Sequence, residues 1–145
     1  MTDDTKPSFI LETFIRASCE RVWEALTDQE TSAKFTPFRT AVYCSEKIGE
    51  AFDFRTPDGT PRVKGTILAF DPPSRLDRSF LADWMEADSK PSRCVYELEA
   101  TGDTTKLTIL HYGLLPGQER IHTGWSRIAA SLKSFLESGE GLKFA

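Results

Sequence analysis

Cysteine is scarce: Cys19, Cys44 and Cys94 are the only three, odd in number and far apart in the chain. They make neither the even framework of a secreted disulfide scaffold nor a Cys-x-x-Cys metal knuckle. A reducing cytoplasm is the expected compartment. Histidine is scarcer still, and His111 and His122 share no ligand spacing with the cysteines, so no metal site is expected. Positive charge is in deficit: 18 Lys and Arg stand against 22 Asp and Glu, a net charge of −4. That excess of acid works against a sequence-independent grip on phosphate backbones, and nucleic acid is not an expected partner. No segment approaches the run of about 18 apolar residues that a membrane span needs. The opening Met1-Thr-Asp-Asp-Thr-Lys-Pro7 has neither the basic region nor the apolar core of a signal peptide. Gly-x-Ser-x-Gly, Walker and Gly-x-Gly-x-x-Gly motifs are missing as well, which removes sequence support for the recognisable serine hydrolase, P-loop and dinucleotide classes.

What is present is enough for one soluble core. The 145 residues are 39% hydrophobic, 11% aromatic and 28% charged, too apolar for a disordered chain and too charged for a membrane protein. A single domain over residues 1–145, ordered from about 8 to 138, is expected. A chain of this length buries enough surface to need no metal or disulfide, so composition demands no cofactor.

Residues 8–15 are aromatic and β-branched and read as a strand. Ser18 then caps a short helix from about Cys19 to Leu26, with Val22, Trp23 and Leu26 on one face. Asp28 caps a second, running through Ala33 to Phe35 before Pro37 turns the chain extended. Strands at 39–44, 51–55, 62–70, 75–82, 93–100 and 106–112 follow, separated by turns such as Pro57-Asp58-Gly59 and by an irregular acidic loop at 83–91. Connections this short leave no room for crossover helices, so the sheet is an antiparallel meander. Trp125, Ile128, Ala129, Leu132, Phe135 and Leu136 then recur at helical spacing, ended by Gly139 and Gly141, with His122 on the solvated side at the start. The order is α+β, and a twisted sheet curled round the long helix buries its apolar stripe most economically.

Four blocks in this chain resemble, in the same order, the activator of heat-shock-protein-90 ATPase homologue-like family of the START-like (SRPBCC) superfamily. They are Ile15-Arg-Ala-Ser-Cys-Glu-Arg-Val-Trp-Glu-Ala-Leu-Thr-Asp28, Lys64-Gly-Thr-Ile-Leu-Ala-Phe-Asp-Pro-Pro73, Thr105-Lys-Leu-Thr-Ile-Leu-His-Tyr-Gly113 and Gly124-Trp-Ser-Arg-Ile-Ala-Ala-Ser-Leu-Lys133. The likeness spans about Phe9 to Glu137. It implies a helix-grip fold, in which the sheet wraps the C-terminal helix and encloses a cavity opening near the two short helices. The chain departs from the family at Cys19, where Pro is common, and at Phe35-Thr-Pro, where the second short helix often ends in tryptophan. The superfamily includes ligand carriers, receptors, cyclases and co-chaperone domains, so the resemblance leaves the activity open.

Alternation places Leu107, Ile109 and His111 on one side of the last strand, Cys94, Tyr96 and Leu98 on the strand before, and Leu76, Arg78 and Phe80 on the strand before that. If the apolar majority marks the inner face, Phe52, Phe54, Phe80, Tyr96, Trp125 and Ile128 line a cavity, with Arg78 and His111 as its polar contacts. The same side chains also suit a filled core. An inward Arg78 has to be paired or meet an anion, unless a register slip or bulge turns it to solvent beside Asp77. His111 is either a general base or a buried, hydrogen-bonded imidazole. Trp84 and Met85, on the loop with Asp83, Glu86 and Asp88, form a lid, a subunit contact or a fold-back onto their own strand.

The leading expectation is therefore a protein that binds a small, largely apolar molecule between sheet and helix. A co-chaperone-like interaction module with a chaperone partner is the alternative. A cyclase- or hydrolase-like enzyme using His111 is the third, and the missing catalytic motifs weigh against it.

Overall fold

The computed structural model describes residues 6–85 and 90–144. Of the acidic loop expected at 83–91, Glu86 and Asp88 lie outside the described residues. The elements run β1 (Phe9–Ile15), α1 (Cys19–Thr27), α2 (Gln29–Ser32), β2 (Ala41–Cys44), β3 (Ala51–Arg55), β4 (Pro61–Asp71), β5 (Arg75–Ala82), β6 (Ser92–Thr101), β7 (Thr104–Tyr112) and α3 (Arg120–Ser138). The strands form a seven-stranded sheet in the order β1-β7-β6-β5-β4-β3-β2, every neighbouring pair antiparallel. Curved round α3, this is the helix-grip fold.

Both short helices begin where side chains satisfy their first orphan N–H groups. Ser18 Oγ accepts from the Arg21 amide at 3.2 Å and Asp28 Oδ2 from the Thr31 amide at 3.0 Å. The second helix is shorter than expected and stops at Ser32, whose buried hydroxyl accepts from the Val42 amide at 2.8 Å and so ties it to β2. Strand β2 starts two residues later than expected, because Pro37–Arg39 form a tight turn in which Phe38 (φ 60°) and Arg39 (φ 55°) are both left-handed. In contrast, α3 begins earlier, at Arg120. His122 is not solvated: it is half-buried and stacked on Phe9, ring centres 4.6 Å apart.

The buried stripe of α3, Ile121, Trp125, Ala129, Leu132 and Leu136, faces the inner residues of the strands. Register lines those residues up across the sheet: Phe9 opposes His111, His111 opposes Cys94, Cys94 opposes Arg78, and Arg78 opposes Ile67. Gly65 permits the curvature at β3 and β4. A Cβ there would stand 2.0 Å from the Ser79 carbonyl oxygen and 2.6 Å from the Phe52 ring, so only glycine lets those groups close over the strand.

Candidate functional site

Sheet and helix do not meet everywhere. A cavity of about 300 Å³ lies between β3 to β6, α3 and the two short helices. Its rim includes Phe38, Thr56, Arg62, Asp83 and Arg120, with Arg62 Nε 2.9 Å from Asp83 Oδ2. The Phe35-Thr-Pro departure is part of this wall.

Phe54, Arg78, Phe80, Trp84, Tyr96, Trp125 and Ile128 all line it. Two expected members do not: Phe52 is buried behind the wall against Arg78, and His111 is closed off from it. The expected lid divides. Trp84 stands on the wall under the Arg120 guanidinium, 4.5 Å from its ring centre, whereas Met85 folds back into the core, its sulfur 3.4 Å from the Ala82 amide.

Arg78 faces inward and is 1% exposed, so the solvent-facing alternative is overturned. The irregularity in this strand pair falls between Ile67 and Ala69 of β4, leaving β5 in regular alternation there. Nη2 donates to the Tyr96 hydroxyl at 2.8 Å and Nη1 makes a long contact of 3.8 Å with Cys44 Sγ. The guanidinium carbon lies 4.3, 4.9 and 5.4 Å from the ring centres of Phe52, Tyr96 and Phe54. Such faces attract a cation without neutralising it. Asp77, one residue away, points to the other side of the sheet, where Arg93 and Arg75 hold its carboxylate at 3.0 and 3.7 Å. Among the described residues no carboxylate comes within 4.0 Å of the Arg78 guanidinium nitrogens.

Burial works against the charge on Arg78, but Tyr96 and Cys44 outweigh it and leave the guanidinium a stronger base than a free arginine. Tyr96 and Cys94 beside it stay neutral at physiological pH. Burial pushes the Tyr96 phenol above its ordinary range and the Cys94 thiol up to about 12. The site thus holds a permanent positive charge with no carboxylate against it among the described residues.

His111 sits in a closed chain of hydrogen bonds. The Trp125 indole N–H donates to Nδ1 at 3.0 Å, which leaves the proton of the neutral ring on Nε2, facing Ser92 Oγ at 2.7 Å. Ser92 in turn donates to the Phe80 carbonyl at 3.1 Å. Desolvation pushes the ring down to about 4, with His122 adding to the effect. Both nitrogens are engaged and neither meets the cavity, so this imidazole is a structural strut and not a base placed for chemistry. Among the described residues no three His, Cys, Asp or Glu converge as metal ligands, and no helix is long and apolar enough to cross a membrane.

Gly124, which the hydrophobic pattern of the sequence does not mark as a site residue, also lines the cavity. A Cβ added to it meets nothing within 4 Å. A glycine in the body of an amphipathic helix, beside a core tryptophan, was the signal available. Its cost to the helix asks for a reason, and here the reason is space.

The family profile described as activator of Hsp90 ATPase homolog 1-like protein matches residues 16–137. No curated protein matches the chain significantly. Several solved structures share the fold. A Mesorhizobium loti protein is 22% identical with a TM-score of 0.73, the match covering 89% of this chain and 96% of that one. The Aha1 dimer from Colwellia psychrerythraea is 20% identical with a TM-score of 0.74, over 92% and 98%. An HSP90 activator from Plasmodium falciparum is 20% identical with a TM-score of 0.67, over 83% and 88%.

Proposed function

The chain belongs to the activator of Hsp90 ATPase homolog 1-like family, within the START-like (SRPBCC) superfamily, and we propose that it binds a small, largely apolar molecule between its sheet and α3. The observation that carries this reading is the cavity of about 300 Å³. Well-packed interiors leave few voids larger than a water molecule, whereas this space reaches the lower end of the range for ligand sites. Aromatic and aliphatic side chains such as Phe80, Trp125 and Ile128 supply the apolar wall, and Gly124 withholds a side chain from it.

The test is a fluorescence titration with N-phenyl-1-naphthylamine, a neutral apolar probe, together with native mass spectrometry of freshly purified protein. Saturable emission, displaced by a molecule retained from the cell, is the expected result. A linear, non-saturating response over the whole probe range counts against the reading.

A chaperone contact is the second reading. It is favoured by the family itself and by the shared fold of the Plasmodium HSP90 activator. Phe38, 87% exposed and held in a left-handed turn, is the surface aromatic suited to such a contact. Stimulation of a chaperone ATPase that is lost in Phe38→Ser would support it, and no stimulation would reject it. The cytoplasm is the compartment both readings assume.

A further inference from the structure

We propose that the molecule this cavity takes is a singly charged organic acid, bound with its carboxylate against Arg78 and its apolar body towards α3. This rests on the cavity reading above and goes one step past it, from the ligand's polarity to its charge.

A buried charge persists only when something pays its desolvation, usually an opposite charge with matching hydrogen bonds. Arg78 has neither. Of the five N–H groups a guanidinium carries, one meets Tyr96 well, one meets Cys44 at 3.8 Å, and Nε–H has no partner. The side chain is on the cavity wall. The guanidinium therefore lies against a space that an incoming group can fill, with its hydrogen-bonding capacity only partly used.

Chemistry narrows what that group is. Arginine presents a planar fork that fits a carboxylate's two oxygens. Tyr96 accepts from Arg78 through its oxygen and keeps its own O–H to donate, so a second neutral donor stands beside the fork. Of the charged side chains on the lining only Arg78 is buried, the others standing at the exposed rim, and one buried cation balances one negative charge. A phosphate dianion would carry a second, uncompensated charge into an apolar wall. Phe80, Trp125 and Ile128, on the same wall, then receive the hydrocarbon part.

The experiment titrates wild-type protein at pH 7.5 with straight-chain acids of graded length and with phenylalkanoic acids, each paired with its primary amide. At least one acid should bind about tenfold or more tightly than its amide, the range for charge-assisted hydrogen bonds. That preference should vanish in Arg78→Met and narrow in Tyr96→Phe, with amide binding retained. If Arg78→Met does not fold, the wild-type comparison and Tyr96→Phe decide the matter by themselves. Equal affinity within every acid and amide pair would overturn the anion site and leave the cavity reading standing. An acid preference that survives Arg78→Met would move the charge to the rim arginines, Arg62 or Arg120, and overturn the assignment. Binding of neither acids nor amides would overturn both readings together.

Discussion

The indole of Trp125 donates to Nδ1 of His111 at 3.0 Å, across the interface between the long helix and the last strand. That bond fixes the imidazole as its Nε2–H tautomer and passes polarity through Ser92 to the Phe80 backbone. The face carrying Phe80, Trp125 and Tyr96, in ring contact at 5.7 and 6.1 Å, is thereby held as a rigid wall. Rigidity matters because a cavity beside mobile side chains would collapse.

Acid should loosen this wall in a defined window. The folded ring titrates at about 4, the unfolded one near 6.5. As pH falls below 6.5 the unfolded chain takes up a proton that the folded protein refuses, so the contribution present above 6.5 is lost progressively down to about 4. The loss is on the order of 3 kcal/mol. Urea unfolding of wild type should therefore weaken more between pH 7 and 4.5 than that of His111→Gln, whose amide can reproduce both hydrogen bonds without titrating. Identical pH slopes would mean that the ring is not desolvated as described.

Leu132 is buried on α3 against the sheet, while its neighbour Lys133 lies at the surface, reaching the Phe14 carbonyl at 2.5 Å and Glu137 at 2.7 Å. Leu132→Ala should cost about 2 to 5 kcal/mol through lost transfer energy and the hole it leaves. Lys133→Ala should cost under about 1 kcal/mol, the value of an exposed pair. Paired urea titrations give both figures, and equal small losses would deny the packing of α3.

Local chemistry is legible in the sequence. The caps at Ser18 and Asp28 are decisions made within three residues, and both hold. Alternation put Leu107, Ile109 and His111 on the buried face of β7, and they are buried. What alternation cannot tell is which part of that face is core and which is cavity. His111 is sealed because Trp125 arrives from α3 to cover it, and that depends on how the helix docks. The left-handed Phe38 and Arg39 were illegible for a related reason: neither is glycine or asparagine, so nothing local announces a positive φ. Likewise, Asp77 adjoins Arg78 in sequence, yet the pleat sends it to the opposite face to pair with Arg93.

Gly65 should prove intolerant of even one methyl group. The Ser79 carbonyl would lie 2.0 Å from a Cβ there, and backbone cannot rotate aside as a flexible side chain can. Gly65→Ala should therefore destabilise by about 1 to 3 kcal/mol or more, the cost of overpacking. It should also disturb Phe52, which opposes Gly65 in register and stacks on Arg78. Thermal unfolding measures the first effect; a wild-type melting temperature in Gly65→Ala would show that the strands sit farther apart.

Gly124 should behave in the opposite way, and the contrast tests the cavity. A Cβ at this position meets open space, so Gly124→Ala should stabilise α3 by roughly 0.5 to 1 kcal/mol through helix propensity alone. A larger side chain should grow into the space that the cavity occupies, because Gly124 is part of its wall. Gly124→Phe is therefore expected to fold at least as stably as wild type while losing the saturable N-phenyl-1-naphthylamine signal. The stability readout separates a blocked cavity from a broken protein, since a variant that merely unfolds would lose both. Undiminished probe binding in a well-folded Gly124→Phe would place the bound molecule somewhere other than between the sheet and α3.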